Sequence, residues 1–385
     1  MFKVVDLFCG TGALSYGLTQ ENDKFVTVAG IDINKPATDT AQANHKSAKI
    51  ICGDIEEIVP EKFSEMTGVH EADLVVGGPP CQGFSSIRPS RGKNLDDPRN
   101  HLYKSFIEYV EHLRPKAVLM ENVIGLINAS KGNLLKEIIE GFEGIGFTVD
   151  WRVLNAANYG VPQKRERLFL IGYRGDEEIN FPKPTHFFDG RVIGTKNKPM
   201  YIINREDGLP VVTLWDAISD LESIASGQSS EIYKGQPLNE YQRSRRNRSK
   251  NVSLHSAANH SEKMLEVIQH SGSSISALPS GLVTSGYSSC YSRLTSDEPS
   301  TTITVKFTSP ASSKCIHPFD DRAITPREAA RIQGFDDDYH FCGSKTDIAS
   351  QIGNAVPPLL GGAFAGVLSN YLGKRGATDA TEKSF

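Results

Sequence analysis

The sequence predicts an α/β protein: a doubly wound, mostly parallel sheet, followed by a smaller and less regular unit. Three observations lead there. Short apolar runs alternate with helix-spaced segments through the first half of the chain, as parallel strands joined by crossover helices require. Several of these runs end in glycine or an acidic residue, where strand ends border a ligand crevice. Beyond about residue 175, Pro, Gly, Ser and Asn become frequent and the periodicity weakens.

Residues 2–8 read as the first strand, and Cys9-Gly10-Thr11-Gly12 opens a glycine-rich turn into a helix. Such a turn either offers free backbone N–H groups to a ligand or is simply tight. It is not GxGxxG, so a dinucleotide is not indicated. The second strand, 25–31, ends in Asp32, which suits ribose hydroxyls or the N-cap of the next helix. The third, 48–52, leads to Gly53-Asp54-Ile55, where Asp54 could bond an adenine amino group while Ile55 packs on the ring. Three such ends on one sheet edge point to a nucleoside pocket.

Residues 72–76 form a short apolar strand that breaks into Gly77-Gly78-Pro79-Pro80-Cys81-Gln82-Gly83-Phe84-Ser85. Two prolines cannot continue a strand, so the chain turns and presents Cys81 on a loop. A lone Cys is often buried, but the Pro-Pro before it and the polar run after it argue for exposure. Residues 85–100 are polar and rich in Arg, Gly and Pro, hence a loop. A helix follows over 102–113, then a strand over 116–120 that ends in Glu121. Residues 159–167, which include Arg165 and Arg167, run into a strand over 168–172. A short helix at 327–335 is stopped by Gly334, and a last helix covers 359–372 before a polar tail. The expected organisation is a main domain of 1–178 completed by 345–375, a smaller domain of 179–344, and a tail of 376–385.

The 385 residues suffice for a large core, and 38% hydrophobic with 23% charged is ordinary for a soluble protein. The net charge of −4 neither announces nor excludes nucleic acid. Arg243, Arg245, Arg246, Arg248 and Lys250 crowd one short stretch, either a solvated loop or a phosphate contact. The six cysteines are scattered without a CxxC pair, so neither a zinc site nor a disulfide framework is expected. No signal peptide and no membrane-length apolar run is present, and a cytoplasmic protein is expected.

Cys81 needs a group that activates it or its substrate, because the thiolate is the nucleophile. A carboxylate beside a thiol raises the thiol's pKa, so Glu121 is a poor activator of Cys81. Glu121 makes sense as an acid acting on the substrate. A pyrimidine accepts a thiolate once a ring nitrogen is protonated or hydrogen-bonded.

These residues resemble the DNA (cytosine-5) methyltransferases. The matching motifs are DLFCGTGALSYG (6–17), the strand end at Asp32, GDI (53–55), GGPPCQGFS (77–85), ENV (121–123), QKRERLFLIG (163–172), RLTSDEPSTTIT (293–304) and QIGNAVPP (351–358). They run in the family's order across nearly the whole chain. The resemblance implies a methyltransferase of Rossmann-like fold that uses S-adenosyl-L-methionine, releases S-adenosyl-L-homocysteine, and needs no metal. It implies double-stranded DNA as partner, with the target cytosine flipped out of the helix. Position by position, Cys81 would attack cytosine C6 and Glu121 would contact N3 and the exocyclic amine. Arg167 would contact O2, and Arg165 would hold the loop and a nearby phosphate. Phe8, Cys9, Gly10, Gly12, Asp32, Ile33, Asp54, Ile55, Pro80, Leu102 and Asn354 would line the cofactor site. The loop 82–100 would close on the base, with Gln82 and Ser85 at the DNA. Residues from about 175 to 290 would recognise the target, with Arg243, Arg245, Arg246 and Arg248 on the backbone.

The family has a bulky side chain where this chain has Ile33, which implies weaker adenine stacking. A transfer-RNA methyltransferase of the same fold carries a Cys-Phe-Thr tripeptide that this sequence lacks. A non-catalytic DNA-binding relative would not need Cys81, Glu121 and Arg167 together. Bacterial restriction–modification, with a separate cognate endonuclease, is the expected setting.

Overall fold

The computed structural model describes residues 1–80, 101–175, 177–190 and 202–382, with side chains through 374. β1 (Phe2–Leu7), β2 (Phe25–Asp32), β3 (Lys49–Cys52), β4 (Leu74–Gly77), β5 (Ala117–Asn122) and β6 (Phe147–Asn155) belong to one sheet. After the two-residue β7 (Gln163–Lys164), β8 (Glu166–Arg174) completes it in the order β3-β2-β1-β4-β5-β8-β6. The first five strands pair in parallel, and β8 runs antiparallel to both its neighbours. From β1 the chain winds outward to β2 and β3, then returns to the other side at β4. The reversal leaves a crevice over the carboxyl ends of β1 and β4.

Burial explains why the strands read as continuous apolar runs. Neighbouring residues point to opposite faces, and both faces are covered. Val5, Val75, Val118 and Leu170 pack with Phe106, Tyr109 and Phe142 on one side. Those aromatic residues come from α4 (Leu102–Leu113) and α5 (Asn133–Gly144), while α3 (Pro60–Thr67) adds Phe63. Val4, Val76, Leu119 and Phe169 pack on the other side with Leu14 and Leu18 of α1 (Ala13–Glu21). Leu360, Phe364 and Leu368 from the carboxyl-terminal helices join that face. α2 (Lys35–Asn44) links β2 to β3, and its N-cap is Asn34, which accepts the Ala37 N–H at 3.0 Å.

The second unit is irregular. It contains β9 (His186–Phe187), β10 (Leu209–Pro210), α6 (Leu214–Ile218), α7 (Glu240–Arg246), α8 (Glu262–Gln269), β11 (Ser300–Thr301) and α9 (Pro326–Gln333). α10 (Lys345–Asn354), α11 (Pro358–Gly362) and α12 (Ala365–Glu382) then return to the sheet. A separate apolar cluster of Leu214, Ile218, Leu294, Phe307, Ile332, Phe335 and Ile352 reaches Ala13 and Tyr16 of α1. α9 ends as its sequence predicts, at Gly334 with φ +93°, while its start is set by a capping box between Thr325 and Glu328. The single last helix expected from 359 is two helices, and α12 continues through Glu382 where a tail was expected. No single helix among the described residues is long and apolar enough to cross a membrane.

Candidate active site

The crevice holds a cavity of about 1730 Å³ that brings together most of the expected residues. Phe8, Gly10, Asp32, Asp54, Ile55 and Leu102 line one end, Glu121, Arg165 and Arg167 the other, with Pro80 and Asn354 also on its wall. Cys81, Gln82 and Ser85 lie outside the described residues. Gly78, Pro79 and Pro80, which precede them in sequence, line this cavity after the end of β4.

The end with Glu121 and Arg167 is built by an antiparallel pair. Glu121 is next to last in β5 and Arg167 is second in β8. The Arg167 Nε donates to Glu121 Oε1 at 2.8 Å, with both side chains about six-sevenths buried (15% and 13% exposed). A Cβ on Gly78 would stand 3.1 Å from Glu121 Oε2, so glycine there lets the Pro-Pro turn press against this carboxylate. Asn122 Nδ2 donates to the Pro79 carbonyl at 2.9 Å and ties that turn to β5. Burial pushes the Glu121 carboxyl up, while Arg167 and Arg165 pull it down; the net direction is up.

Arg165 is fully buried. Its guanidinium donates to the Ile303 carbonyl at 3.2 Å and the Gly353 carbonyl at 3.1 Å. Burial and the neighbouring Arg167 hold its pKa well below the usual value. An arginine remains charged nonetheless, because its ordinary value is so high. Its Nε has no hydrogen-bond partner among the described residues. Arg165 therefore joins the strand bearing Arg167 to the second unit and to α10.

At the other end, Phe8 (φ +54°) and Gly10 (φ +51°) turn the chain sharply after β1. Gly12 has φ +77°, and a Cβ there would lie 2.8 Å from the His45 ring. Asp32 is not the helix N-cap. One carboxylate oxygen accepts the Gly10 N–H at 2.8 Å and the other the Asn34 N–H at 2.9 Å. Each keeps a lone pair for a hydroxyl. Asp54 Oδ1 accepts the Glu56 N–H at 3.0 Å, Ile55 is buried, and Ile33 is 68% exposed at the cavity edge. Cys9 is buried, and burial raises its thiol well above the usual range, which makes it a wall and not a nucleophile. Asn354 Nδ2 reaches Ser350 Oγ at 3.4 Å. Thr11 lines this cavity, and its hydroxyl is buried without a hydrogen-bond partner among the described residues. Acidic residues at or just past two strand ends and a glycine turn fit a nucleoside carrying an amino-acid group.

A layer beneath the glycine turn was not foreseen. Ser15 Oγ donates to Asp6 Oδ2 at 2.6 Å and lies 3.3 Å from His45 Nε2, which is 3.0 Å from the Gly12 carbonyl. Burial pushes Asp6 up to about 7. The only trace in the sequence is an aspartate inside an apolar strand.

One expectation is corrected. Arg245 and Arg246 do not form an exposed strip with Arg243 and Arg248. Arg245 pairs with Asp336 at 2.9 Å and donates to the Gly334 carbonyl at 2.8 Å. Arg246 pairs with Asp220 at 2.7 Å, and its guanidinium lies 3.8 Å from the Tyr233 ring centroid. Both are 12% exposed, so their charge is already spent inside the second unit. Arg243 and Arg248 face outward, Arg243 beside Glu240.

The model of C-5 cytosine-specific DNA methylases matches residues 2–370. The chain belongs to that family. Type II methyltransferase M.AgeI of Thalassovita gelatinovora is 33% identical over 94% of this chain and 98% of its own length. Type II methyltransferase M1.HphI of Haemophilus parahaemolyticus is 34% identical over 94% and 85%. In fold, the chain resembles a prophage-encoded E. coli protein (TM-score 0.75, 24% identity, 97% and 100% covered). It also resembles the S. pombe Dnmt2 methyltransferase (TM-score 0.60, 17% identity, 97% and 99% covered). The protein is a DNA (cytosine-5) methyltransferase of a family that depends on S-adenosyl-L-methionine.

Proposed function

We propose that this methyltransferase modifies a cytosine rotated out of duplex DNA into the cavity between Pro80 and the Glu121–Arg167 pair. The observation that carries the reading is that ion pair, buried against the Gly78–Pro80 turn in the same cavity as the Asp32 and Asp54 strand ends. Cys81 follows that turn directly and attacks cytosine C6. The electron pair of the C5–C6 bond moves to C5 as the C6–S bond forms.

Glu121 hydrogen-bonds N3 and the exocyclic amine, and its raised pKa suits it to supply a proton as N3 gains charge. Arg167 holds both Glu121 and cytosine O2, so the pair stabilises charge in a water-poor site. S-adenosyl-L-methionine, when bound, supplies an electrophilic methyl group. Phe8, the Gly10–Gly12 turn, Asp32, Asp54 and Ile55 would hold it, with Asn354 on the opposite wall. With C5 methylated, loss of its proton to solvent returns electrons to the C5–C6 bond and expels the Cys81 thiolate, while N3 gives its proton back to Glu121. Arg243 and Arg248 carry the remaining expectation of phosphate contact. A type II restriction–modification system, with a separate endonuclease reading the same site, is the setting this reading implies.

The test is methyl transfer from tritiated cofactor to unmethylated duplex DNA and, in parallel, to transfer RNA, followed by bisulfite sequencing. Label on duplex DNA at one short sequence is expected. Label on transfer RNA alone, or no transfer, contradicts the reading.

A further inference from the structure

Two buried glutamines lie behind the cavity wall, outside its lining but bonded to residues that form it. Gln163 Oε1 accepts the Ile303 N–H at 2.9 Å, which holds the second unit's chain just after β11 against β7. Its Nε2 donates to Gln333 Oε1 and lies 3.4 Å from the Ile332 carbonyl. Gln333 Nε2 in turn donates to the Ile352 carbonyl at 3.0 Å and the Ala355 carbonyl at 2.7 Å. Both side chains are fully buried, and both amides use their donors and acceptor.

The chain of bonds has functional ends. Gln163 stands four residues before Arg167, at the base end. Ala355 follows Asn354, on the wall shared with the cofactor end, and lines the cavity itself. Ile303, Thr304 and Val305 line the same cavity from the second unit. That segment packs directly on α10, where a Cβ on Gly353 would meet the Val305 nitrogen at 2.4 Å. A shift of the 353–356 wall therefore has a continuous, buried route of hydrogen bonds to β7, directly before the strand that carries Arg167. A side-chain amide pair suits the task, because neither end can move without leaving a buried donor or acceptor unpaired.

We propose that Gln163 and Gln333 are a positioning pair that couples filling of the cofactor end to the fit of the second unit around the target base. The proposal rests on the reading of the cavity as a joint cofactor and cytosine site. Coupling of this kind is reciprocal, so it is measurable as a ratio of binding constants.

The test uses the full chain and a short duplex carrying the site mapped by bisulfite sequencing. S-adenosyl-L-homocysteine affinity is measured with and without saturating duplex, for wild type, Gln163→Met, Gln333→Met and the double variant. Methionine keeps the side chain's length and removes its hydrogen bonds. In wild type the duplex tightens homocysteine-product binding by about five-fold or more. In each variant that ratio falls toward one, and the double variant loses no more than either single change.

A merely structural amide pair lowers the melting temperature and leaves the ratio at the wild-type value; that result overturns the proposal. So does a wild-type ratio of one. If Gln333→Met does not fold, Gln163→Met decides alone. Absence of any methyl transfer by the wild type would instead bring down the catalytic reading, so the two failures are separable.

Discussion

Glu121 and Arg167 form a buried ion pair, and both line the cavity proposed to take the cytosine. Removing one partner's charge should cost catalysis more than binding. Glu121→Gln keeps a hydrogen-bond acceptor for Arg167 but has no proton to give to N3. Turnover is expected to fall by about 10²–10⁴-fold, with cofactor affinity unchanged, in single-turnover assays and product-binding titrations. At the adenine edge, Ile33 is largely exposed. Ile33→Trp gives the ring a broader apolar face, and S-adenosyl-L-homocysteine is expected to bind about two- to ten-fold tighter by calorimetry. Unchanged affinity would mean that the adenine does not lie against this residue.

Among the elements, α1 and α11 approach so closely that a Cβ on Gly17 would stand 2.0 Å from the Pro358 carbonyl oxygen. That contact brings the helices after the second unit back to the sheet, and with them the wall around Asn354. Gly17→Ala is expected to destabilise the protein by about 1–3 kcal/mol in denaturant melts, because backbone and not a flexible side chain must yield. The basic helix makes a contrasting pair. Arg245→Glu sets a carboxylate beside Asp336 in a largely buried site, and breaking such a pair costs about 3–5 kcal/mol of stability. Arg248→Glu should leave the melting temperature unchanged and lower the salt dependence of DNA binding by about one unit in slope.

These elements also show what was legible. The strand ends at Asp32, Asp54, Gly78 and Glu121 could be read because apolar runs stop where the chain must turn, and each stop carries its polar residue. β6 and α5 were not read, and β8 was not expected to run antiparallel, since strand direction leaves no mark on a continuous apolar run. Arg245 and Arg246 looked like solvent-facing charge because their partners, Asp336 and Asp220, are distant in sequence. Gln163 gave no signal beyond the QKRERLFLIG motif and Gln333 none beyond the short helix that holds it, because a satisfied buried amide is visible only in three dimensions.

Over the whole molecule, two buried carboxylates oppose each other in their response to pH. Asp6, under the glycine turn, is pushed by burial up to about 7. The folded chain then holds a proton that the unfolded chain releases near the ordinary aspartate value. Stability is expected to decline from about pH 4 to about pH 7 on its account, and to level off above. Glu328 in the second unit is buried, yet Arg322 at 2.8 Å and the nearby His317 hold its carboxyl far below the usual range. Its contribution is present above the ordinary glutamate value and is lost as pH falls. Asp6→Asn should raise stability at pH 8 and leave it little changed at pH 4, while Glu328→Gln should flatten the acid limb. Urea midpoints across pH 3–9 check both signs.

Everything here turns on a covalent bond between the Cys81 sulfur and C6 of a cytosine gripped by Glu121 and Arg167. DNA containing 5-fluorocytosine at the methylated site cannot release its C5 substituent as a proton, so the adduct should persist. Incubation with S-adenosyl-L-methionine, proteolysis and peptide mass mapping are expected to find the modified nucleotide on Cys81 alone, and no adduct with Cys81→Ser. A trapped nucleotide on another residue, or full methylation of ordinary DNA by Cys81→Ser, would contradict the account.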